Sequence, residues 1–240
     1  MSLRLGFDID GVLADFRSAF RATAVRLVRG QVDDFDPDDA ESRESALSPE
    51  DVRRVWEHIA KSPNWWMEID AYEPDQIARL YSLSRDAGWE IFFLTNRPAS
   101  AGDSVQFQTQ SWIERYGFYM PSVLTIPGSR GEVANGLRLH LAIDDLLLNC
   151  IEVVSASTAK ALLLQRRGDA AVESHALQRG IGVVPTLKDA IEIVQRLHAL
   201  IPARKGRLMR LADWFSPPGP AEPLPYNPRL TRPLPPAGDR

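Results

Sequence analysis

Two aspartates, Asp8 and Asp10, lie two positions apart where the first apolar run of the chain, LRLGFDI, ends before a glycine. Burying a carboxylate costs several kcal/mol unless a partner compensates its charge. A pair of carboxylates at one strand end is suited to binding a cation, attacking an electrophile or transferring a proton. Alone, this DxD pattern is a weak indicator, because a solvated turn explains it about as well.

Three further chemical groups follow in order at predicted strand ends or helix starts. Thr95 and Asn96 end the run EIFFLTN, Arg130 opens the stretch RGEVANGL, and Asp144 and Asp145 close the run LHLAIDD. Four such features in this order are hard to explain as solvated turns. The sequence therefore predicts one site built from acidic, hydroxyl and basic side chains.

The elements that must position these groups alternate along the chain. Short β-rich runs occur at 3–9, 90–95, 122–126, 139–143, 160–165 and 181–185, and helix-like stretches at 104–118, 131–139 and 187–201. Strands that alternate with helices predict an α/β fold with a doubly wound, mostly parallel, Rossmann-like sheet. Ligands of such sheets bind at the carboxyl ends of the strands, where Asp8 and Asp10 would lie.

One long interruption separates the first two strands. Residues 17–28 and 48–61 favour helices, the second with Ser48 as N-cap and Pro49 in its first turn. We therefore predict a small helical cap at 15–72, inserted after the first strand into a core formed by 1–14 and 73–202.

Two other stretches have distinctive compositions. The acidic stretch 32–44 lacks the central glycine and closing glutamate of a calcium loop, so a solvated loop is expected. Beyond the core, 203–240 contains a basic amphipathic segment at 203–215 and then nine prolines in the last 25 residues. Proline removes backbone donors and favours extended chain, so we predict a disordered tail after a helix packed on the core.

Composition limits the classes of partner. A net charge of −4 gives no general attraction to nucleic acid polymers or anionic membranes. The single cysteine, Cys150, excludes an internal disulfide and fits a reducing compartment. No apolar run reaches the roughly 18 to 20 residues of a membrane span, and the first strand begins too early to leave room for a signal peptide. A cytoplasmic protein is expected.

With these motifs the sequence resembles the haloacid dehalogenase superfamily of aspartate-nucleophile phosphatases, over about residues 3–190. The runs DIDGVLADF, KSPNWWMEI and WIERYGF and the late IDD resemble the 5'(3')-deoxyribonucleotidase branch more closely. The resemblance implies a Mg²⁺-dependent hydrolase of (deoxy)nucleoside monophosphates that forms an aspartyl-phosphate. A phosphatase for another small phosphoester and a non-catalytic binding protein of the same fold remain alternatives. A homodimer is a candidate assembly on the resemblance alone.

The resemblance also implies roles for the acidic residues. Asp8 would be the nucleophile, and Asp10 would protonate the leaving oxygen and then activate water, while both hold Mg²⁺, Asp10 through its backbone carbonyl. Asp145 would be the third metal ligand, with Asn149 four positions later, although Asp144 could share that role.

The remaining roles concern phosphate and base. Thr95 and the backbone near Asn96 would bind phosphoryl oxygens. Arg130 falls where the family has lysine, and an arginine keeps the charge with a different reach. The second motif, TNR, is also a departure from the closest nucleotidases, and its Arg97 would be either an additional phosphate or substrate contact or a solvent-facing residue.

Aromatic residues of the cap have two interpretations. Phe16 and Trp65, together with Trp66, match positions that form the nucleobase pocket in the resembling nucleotidases. Large aromatic side chains also anchor one layer of a protein to another, so a purely structural role for either tryptophan remains open.

Overall fold

The structure is a computed structural model that describes residues 2–27 and 47–203. Its strands form one sheet in the order β3-β2-β1-β4-β5-β6, and every neighbouring pair is parallel. The strands are β1 (Arg4–Asp8), β2 (Glu90–Thr95), β3 (Ser122–Thr125), β4 (Leu141–Asp144), β5 (Lys160–Leu164) and β6 (Gly182–Val184). The predicted doubly wound α/β fold is confirmed, and the sheet is wholly parallel.

Helices connect the strands. They are α1 (Phe16–Leu27), α2 (Pro49–Lys61), α3 (Pro74–Ala87), α4 (Val105–Arg115), α5 (Arg130–Gly136), α6 (Leu147–Ala156), α7 (Ala170–Gln178) and α8 (Leu187–Ala203), with a 3₁₀ turn at Trp65–Met67. The predicted N-cap of α2 is present, since the Ser48 side chain accepts a hydrogen bond from the Asp51 backbone N–H. Across the described parts of the chain, no helix combines the length and apolarity required to cross a membrane.

The region predicted as a cap, 15–72, contains α1, α2 and the 3₁₀ turn. Its boundaries stay a prediction. The acidic stretch 32–44 lies outside the described residues, as does the chain after residue 203, where a basic helix and a disordered tail are predicted.

β1 is a central strand, because it pairs with β2 on one side and with β4 on the other. Leu5 and Phe7 on one face of β1 are fully buried, and Gly6 and Asp8 on the other face are also buried, as a strand covered on both faces requires. The sheet extends through β2 and β3 in one direction and through β4, β5 and β6 in the other. At such a switch point the loops that follow adjacent strands diverge and leave a crevice. β1 ends at Asp8 and β4 ends at Asp144, so these two residues mark the two strand ends at the switch point.

The two chain segments that join the cap region to the core are paired with each other. The Asp15 N–H donates to the Asp70 carbonyl at 2.8 Å, and the Tyr72 N–H donates to the Leu13 carbonyl at 2.9 Å. Arg166, which follows β5, donates to the Val12 carbonyl at 2.8 Å. The same guanidinium donates to the Glu73 carboxylate at 2.8 Å, so one core side chain holds both segments.

The position of α5, and with it Arg130, depends on a close approach to α6. A Cβ atom added at Gly131 would lie 2.3 Å from the Glu152 carbonyl oxygen and 2.7 Å from the Ala156 Cβ. Because these are backbone and helix atoms, neither can move aside without displacing α6. Glycine at 131 therefore sets how closely the two helices pack.

We expect Gly131→Ala to lower the free energy of unfolding by about 1 to 3 kcal/mol, since α5 and α6 must separate to admit the methyl group. Gly136 lies in the same helix with nothing within 4 Å of its added Cβ. Gly136→Ala should therefore be neutral or stabilise the protein by up to about 1 kcal/mol. Urea unfolding of both variants tests this, and equal effects would contradict the packing described here.

Candidate active site

A cavity of about 560 Å³ lies at the carboxyl edge of the sheet between the core and the cap region. Its polar lining includes Asp8, Asp10, Asn96, Arg97, Arg130, Asp145 and Asn149, and its apolar lining includes Phe16, Phe20, Trp56 and Trp66. The two halves belong to different parts of the fold. The residues of the charged half lie at or just after the carboxyl ends of β1, β2 and β4 and at the start of α5, whereas those of the apolar half lie largely in the cap.

Asp8 is 7% exposed and paired with a basic side chain from α5. An Arg130 Nη2–H donates to Asp8 Oδ1 at 2.6 Å, and Arg130 Nε lies 3.7 Å from Asp144 Oδ2. Burial raises the pKa of Asp8 well above its usual value, the charges of Asp144, Asp145 and Asp10 raise it further, and Arg130 lowers it. Arg130 is thus shared between Asp8 and Asp144, and its single positive charge does not fully compensate this pair of carboxylates.

Arg130 retains unused donor capacity. Its Nη1 is buried and has no hydrogen-bond partner among the described residues. The backbone holds the helix start in place, because the Arg130 N–H donates to Glu152 Oε2 at 2.9 Å. A buried donor without a partner costs about 1 to 3 kcal/mol, so such groups are uncommon unless a ligand, an ion or a water supplies the acceptor. An anionic group bound beside Asp8 would supply the acceptor.

The two adjacent aspartates after β4 occupy different environments. Asp144 is 4% exposed and does not line the cavity. It accepts hydrogen bonds from the Leu146 N–H at 2.9 Å and from Asn149 Nδ2 at 3.0 Å to each oxygen. Asp145 lines the cavity instead. Of the two, only Asp145 reaches the cavity, whereas Asp144 lies beside Arg130, and which of them binds a metal stays a prediction.

Asp145 also explains the glycine of the first motif. A Cβ atom at Gly11, whose φ is +87°, would lie 2.0 Å from Asp145 Oδ2. Burial, then the charge of Asp144, raises the pKa of Asp145 to about 7, while Arg17 at 3.5 Å lowers it. The loops after β1 and β4 are thus in contact, which brings Asp145 close to Asp8 and Asp10.

The carboxylate of Asp10 is held by an arginine that the sequence analysis did not connect with it. Arg97 Nε–H donates to Oδ2 at 2.9 Å and to Oδ1 at 3.1 Å, and an Nη2–H donates to Oδ1 at 2.7 Å. The Arg97 side chain is fully buried, which rules out the solvent-facing alternative of the two that the sequence left open. It lines the cavity, and the alternative of a substrate contact stays a prediction.

The second motif is only partly exposed to the cavity. Asn96 lines it, whereas Thr95 is 1% exposed and does not. Thr95 Oγ1 accepts a hydrogen bond from the Arg97 N–H at 3.3 Å. Thr95 therefore supports the loop after β2, and its predicted contact with a phosphoryl oxygen stays untested.

The apolar half of the cavity is a group of stacked rings. Phe16 stacks with Trp56 at a centroid distance of 5.8 Å and with Trp66 at 5.9 Å, and Phe20 packs on Trp56 at 5.4 Å. Phe20 and Trp56 were not predicted from the sequence. The spacing could have identified Phe20, because residues four apart lie on one helix face, as Phe16 and Phe20 do.

Trp65 does not line this cavity. It packs edge-on against Phe16 at 6.2 Å and borders a separate groove with Thr23 and Glu68. The structure therefore does not support the predicted base contact of Trp65. Its neighbour Trp66 lines the cavity instead, with its indole N–H donating to the Pro98 carbonyl at 2.9 Å.

The donor set of the cavity suits a hard divalent cation. Mg²⁺ is usually held by one or two carboxylates, with water and phosphate oxygens completing its coordination. Asp8 and Asp145 supply two cavity carboxylates whose pKa values are raised by burial, so a cation would relieve their charge. Within the described residues, no group of three or more histidine, cysteine, aspartate or glutamate side chains is placed so that it could hold a metal ion. Any cation bound here would therefore take no more than two ligands from side chains of these types.

The chain matches no protein-family model, and no curated protein matches it in sequence. Its structure is similar to a haloacid dehalogenase-like hydrolase from Streptococcus pneumoniae, with a TM-score of 0.52 and 14% identity over 80% of this chain and 98% of that one. A second similar structure is a haloacid dehalogenase family hydrolase from Deinococcus radiodurans with bound phosphate and sodium, with a TM-score of 0.51 and 15% identity over 83% and 97%.

A third similar structure is the L-2-haloacid dehalogenase of Xanthobacter autotrophicus, with a TM-score of 0.50 and 12% identity over 81% of this chain and 99% of that one. The chain therefore has the haloacid dehalogenase-like fold. At these identities the likeness shows the fold alone, and the closer resemblance to deoxyribonucleotidases stays a prediction.

Crowding of the carboxylates should make metal-free protein less stable as pH rises. An unfolded Asp145 loses its proton near pH 3.8, whereas the folded one keeps it up to about 7, so its contribution to stability declines between these values. Asp145→Asn should remove this decline. Its free energy of unfolding should exceed that of wild type by an amount that increases with pH and reaches about 4 kcal/mol at pH 8.

Urea unfolding in EDTA at a series of pH values measures the difference. Asp86→Asn, which changes an exposed aspartate of α3, provides the control. Its free energy of unfolding should change with pH in the same way as that of wild type. An Asp145→Asn curve that also runs parallel to wild type would contradict the electrostatic crowding.

Proposed function

We propose that this protein is a Mg²⁺-dependent phosphomonoester hydrolase and that its substrates are (deoxy)nucleoside monophosphates, which makes it a 5'-nucleotidase. The observation that carries the proposal is the pairing of Asp8 with Arg130, whose buried Nη1 has no partner among the described residues. A nucleophile beside an unused, permanently charged donor suits an anionic substrate. The bound phosphate in the similar Deinococcus radiodurans structure is consistent with this class.

The reaction uses the two aspartates of the first motif in sequence. An Asp8 carboxylate oxygen attacks phosphorus and forms an aspartyl-phosphate while the bond to the leaving oxygen breaks. Asp10 donates a proton to that oxygen. Water then attacks the aspartyl-phosphate and gives its proton to Asp10, which releases inorganic phosphate and restores Asp8. Arg130 binds phosphoryl oxygens as charge develops on them.

The implied cation has a defined place in this scheme. Asp8, Asp145 and the Asp10 backbone carbonyl would hold Mg²⁺, which when bound neutralises phosphate charge so that a carboxylate can approach phosphorus. The Leu146 N–H and Asn149 Nδ2 donate hydrogen bonds to the Asp144 carboxylate, which in turn lies beside Arg130 Nε.

Asp10 favours ester hydrolysis over the dehalogenation performed by one structural neighbour. A halide leaves as a stable anion and needs no proton, whereas an alkoxide needs an acid at the leaving oxygen. The chain places a second carboxylate in the cavity beside the nucleophile, held by both of its oxygens. As an acid at the leaving oxygen this group has a role in a phosphatase that departure of a halide does not require.

The aromatic half of the cavity supports a nucleotide rather than a smaller phosphoester. Phe16, Phe20, Trp56 and Trp66 provide an apolar surface next to the charged half. Stacking of a base on such rings is worth about 1 to 3 kcal/mol. A cavity of about 560 Å³ also lies within the range of roughly 300 to 1,000 Å³ found for small-molecule sites.

The first test is phosphate release from a panel of deoxynucleoside, ribonucleoside and sugar monophosphates with Mg²⁺. We expect turnover of deoxynucleoside monophosphates, its loss in EDTA, and a fall of at least about 1,000-fold in Asp8→Asn, because that variant removes the nucleophile. Release only from sugar phosphates would keep the chemistry and refute the nucleotide assignment. Halide release from 2-haloacids without phosphate release would refute the phosphatase.

The second test concerns the base pocket. Trp56→Ala should raise KM for nucleotides about 10- to 100-fold with little change in kcat, because a stacking contact stabilises ground and transition states equally. KM for glycerol phosphate, which has no base, should change little. Phe107→Ala removes an exposed ring of α4 and serves as the control. A uniform rise in KM for both substrate types would exclude base stacking at Trp56.

A further inference from the structure

We propose that Arg97 is a positioning residue that holds the carboxylate of Asp10 by both oxygens in the orientation that proton transfer to the leaving oxygen requires. The proposal rests on the function proposed above, in which Asp10 is the general acid. It assigns a specific role to the arginine of the second motif, which the sequence analysis left between two alternatives.

The contact between Arg97 and Asp10 fixes orientation as well as charge. Three hydrogen bonds of 2.7 to 3.1 Å join Nε and Nη2 to the two carboxylate oxygens. A planar guanidinium that binds both oxygens restrains the plane of the carboxylate, which a single point charge does not. Proton transfer depends on such restraint, since the donor must lie within hydrogen-bond distance and in line.

Arg97 is itself held from two sides. From α4, Thr109 Oγ1 accepts a hydrogen bond from Arg97 Nη1 at 3.2 Å. From the cap region, the Trp66 ring lies 4.8 Å from the guanidinium carbon, and the Trp112 ring of α4 lies 5.8 Å from it. The Arg97 side chain is fully buried, so it has little room to adopt another position.

Two simpler roles give different outcomes. If Arg97 only compensated the charge of Asp10, any cation at 97 would suffice. If it bound phosphate directly, its loss would weaken all phosphoesters alike. Positioning of the acid affects only substrates whose leaving oxygen needs a proton, so the dependence on the leaving group separates the three roles.

The test compares kcat/KM for 4-nitrophenyl phosphate with that for two alkyl esters, a deoxynucleoside 5'-monophosphate and glycerol phosphate, because this parameter reports the step in which the leaving group departs. Glycerol phosphate has no base to contact Trp66, which packs on Arg97, so it should show the same loss as the nucleotide if Arg97 positions the acid. Nitrophenolate departs as a stable anion without a proton, whereas the sugar alkoxide must be protonated as it leaves. In Arg97→Met and Arg97→Lys we expect kcat/KM to fall about 100-fold for the nucleotide and less than about 5-fold for the nitrophenyl ester. Lysine should not restore the nucleotide reaction, since it cannot bind both oxygens in one plane.

Thr109→Val provides a second variant that keeps Arg97 and the local volume but removes one of its restraints. It should show the same selective loss of kcat/KM for the nucleotide, but a smaller one than the Arg97 variants show. The proposal therefore stays testable if the Arg97 variants fail to fold. Arg54→Gln removes an exposed cap arginine paired with Glu50 and should leave all three reactions unchanged. Near-ultraviolet circular dichroism confirms the tertiary structure of each variant.

Equal losses for the alkyl and nitrophenyl esters, a loss confined to the nucleotide, no loss, or full activity in Arg97→Lys would overturn the proposal while leaving an active wild-type phosphatase intact. Inactivity of the wild-type protein on every phosphoester would instead refute the proposed function, and this proposal with it.

Discussion

Mutual repulsion among buried carboxylates is the constraint on which the rest of the site depends. Asp8, Asp10, Asp144 and Asp145 follow two adjacent strands, and burial together with neighbouring negative charge raises the pKa of Asp8 and Asp145. Charges of one sign remain together in a folded protein only when other groups compensate them. Arg17, Arg97 and Arg130 and the hydrogen bonds of Asn149 supply part of that compensation, and a cation bound in the cavity would supply more.

The parallel sheet creates this crowding because its strands end at one edge. β1 and β4 are neighbours in the sheet although more than a hundred residues separate them in the chain. Their following loops approach so closely that Gly11 has no space for a side chain beside Asp145. Arg130 reaches the same point because Gly131 allows α5 to pack directly on α6. The site therefore depends on two glycines as much as on its charged residues.

The cap region supplies the opposite chemistry. Phe16 and Phe20 of α1 and Trp56 of α2 place stacked rings across the cavity from the carboxylates. Trp66 belongs to both halves, since its ring stacks with Phe16 and lies over the guanidinium of Arg97. A substrate with an anionic end and an aromatic end would contact the two halves at once.

The sequence by itself determined the fold class and the position of the acidic motifs, because strand runs, helix periodicity and residues at strand ends are local properties of the chain. It placed Asp8, Asp10, Asn96, Arg130 and Asp145 at one edge of a parallel sheet, and all five line the cavity.

Only the tertiary structure decided which member of each adjacent pair faces the cavity, because that depends on how the loops and the cap pack. Asp145 faces it rather than Asp144, and Trp66 rather than Trp65. The tertiary structure also decided that Arg97 binds Asp10, 87 residues away. A local pattern carries no information about such a contact, since the fold brings the two side chains together.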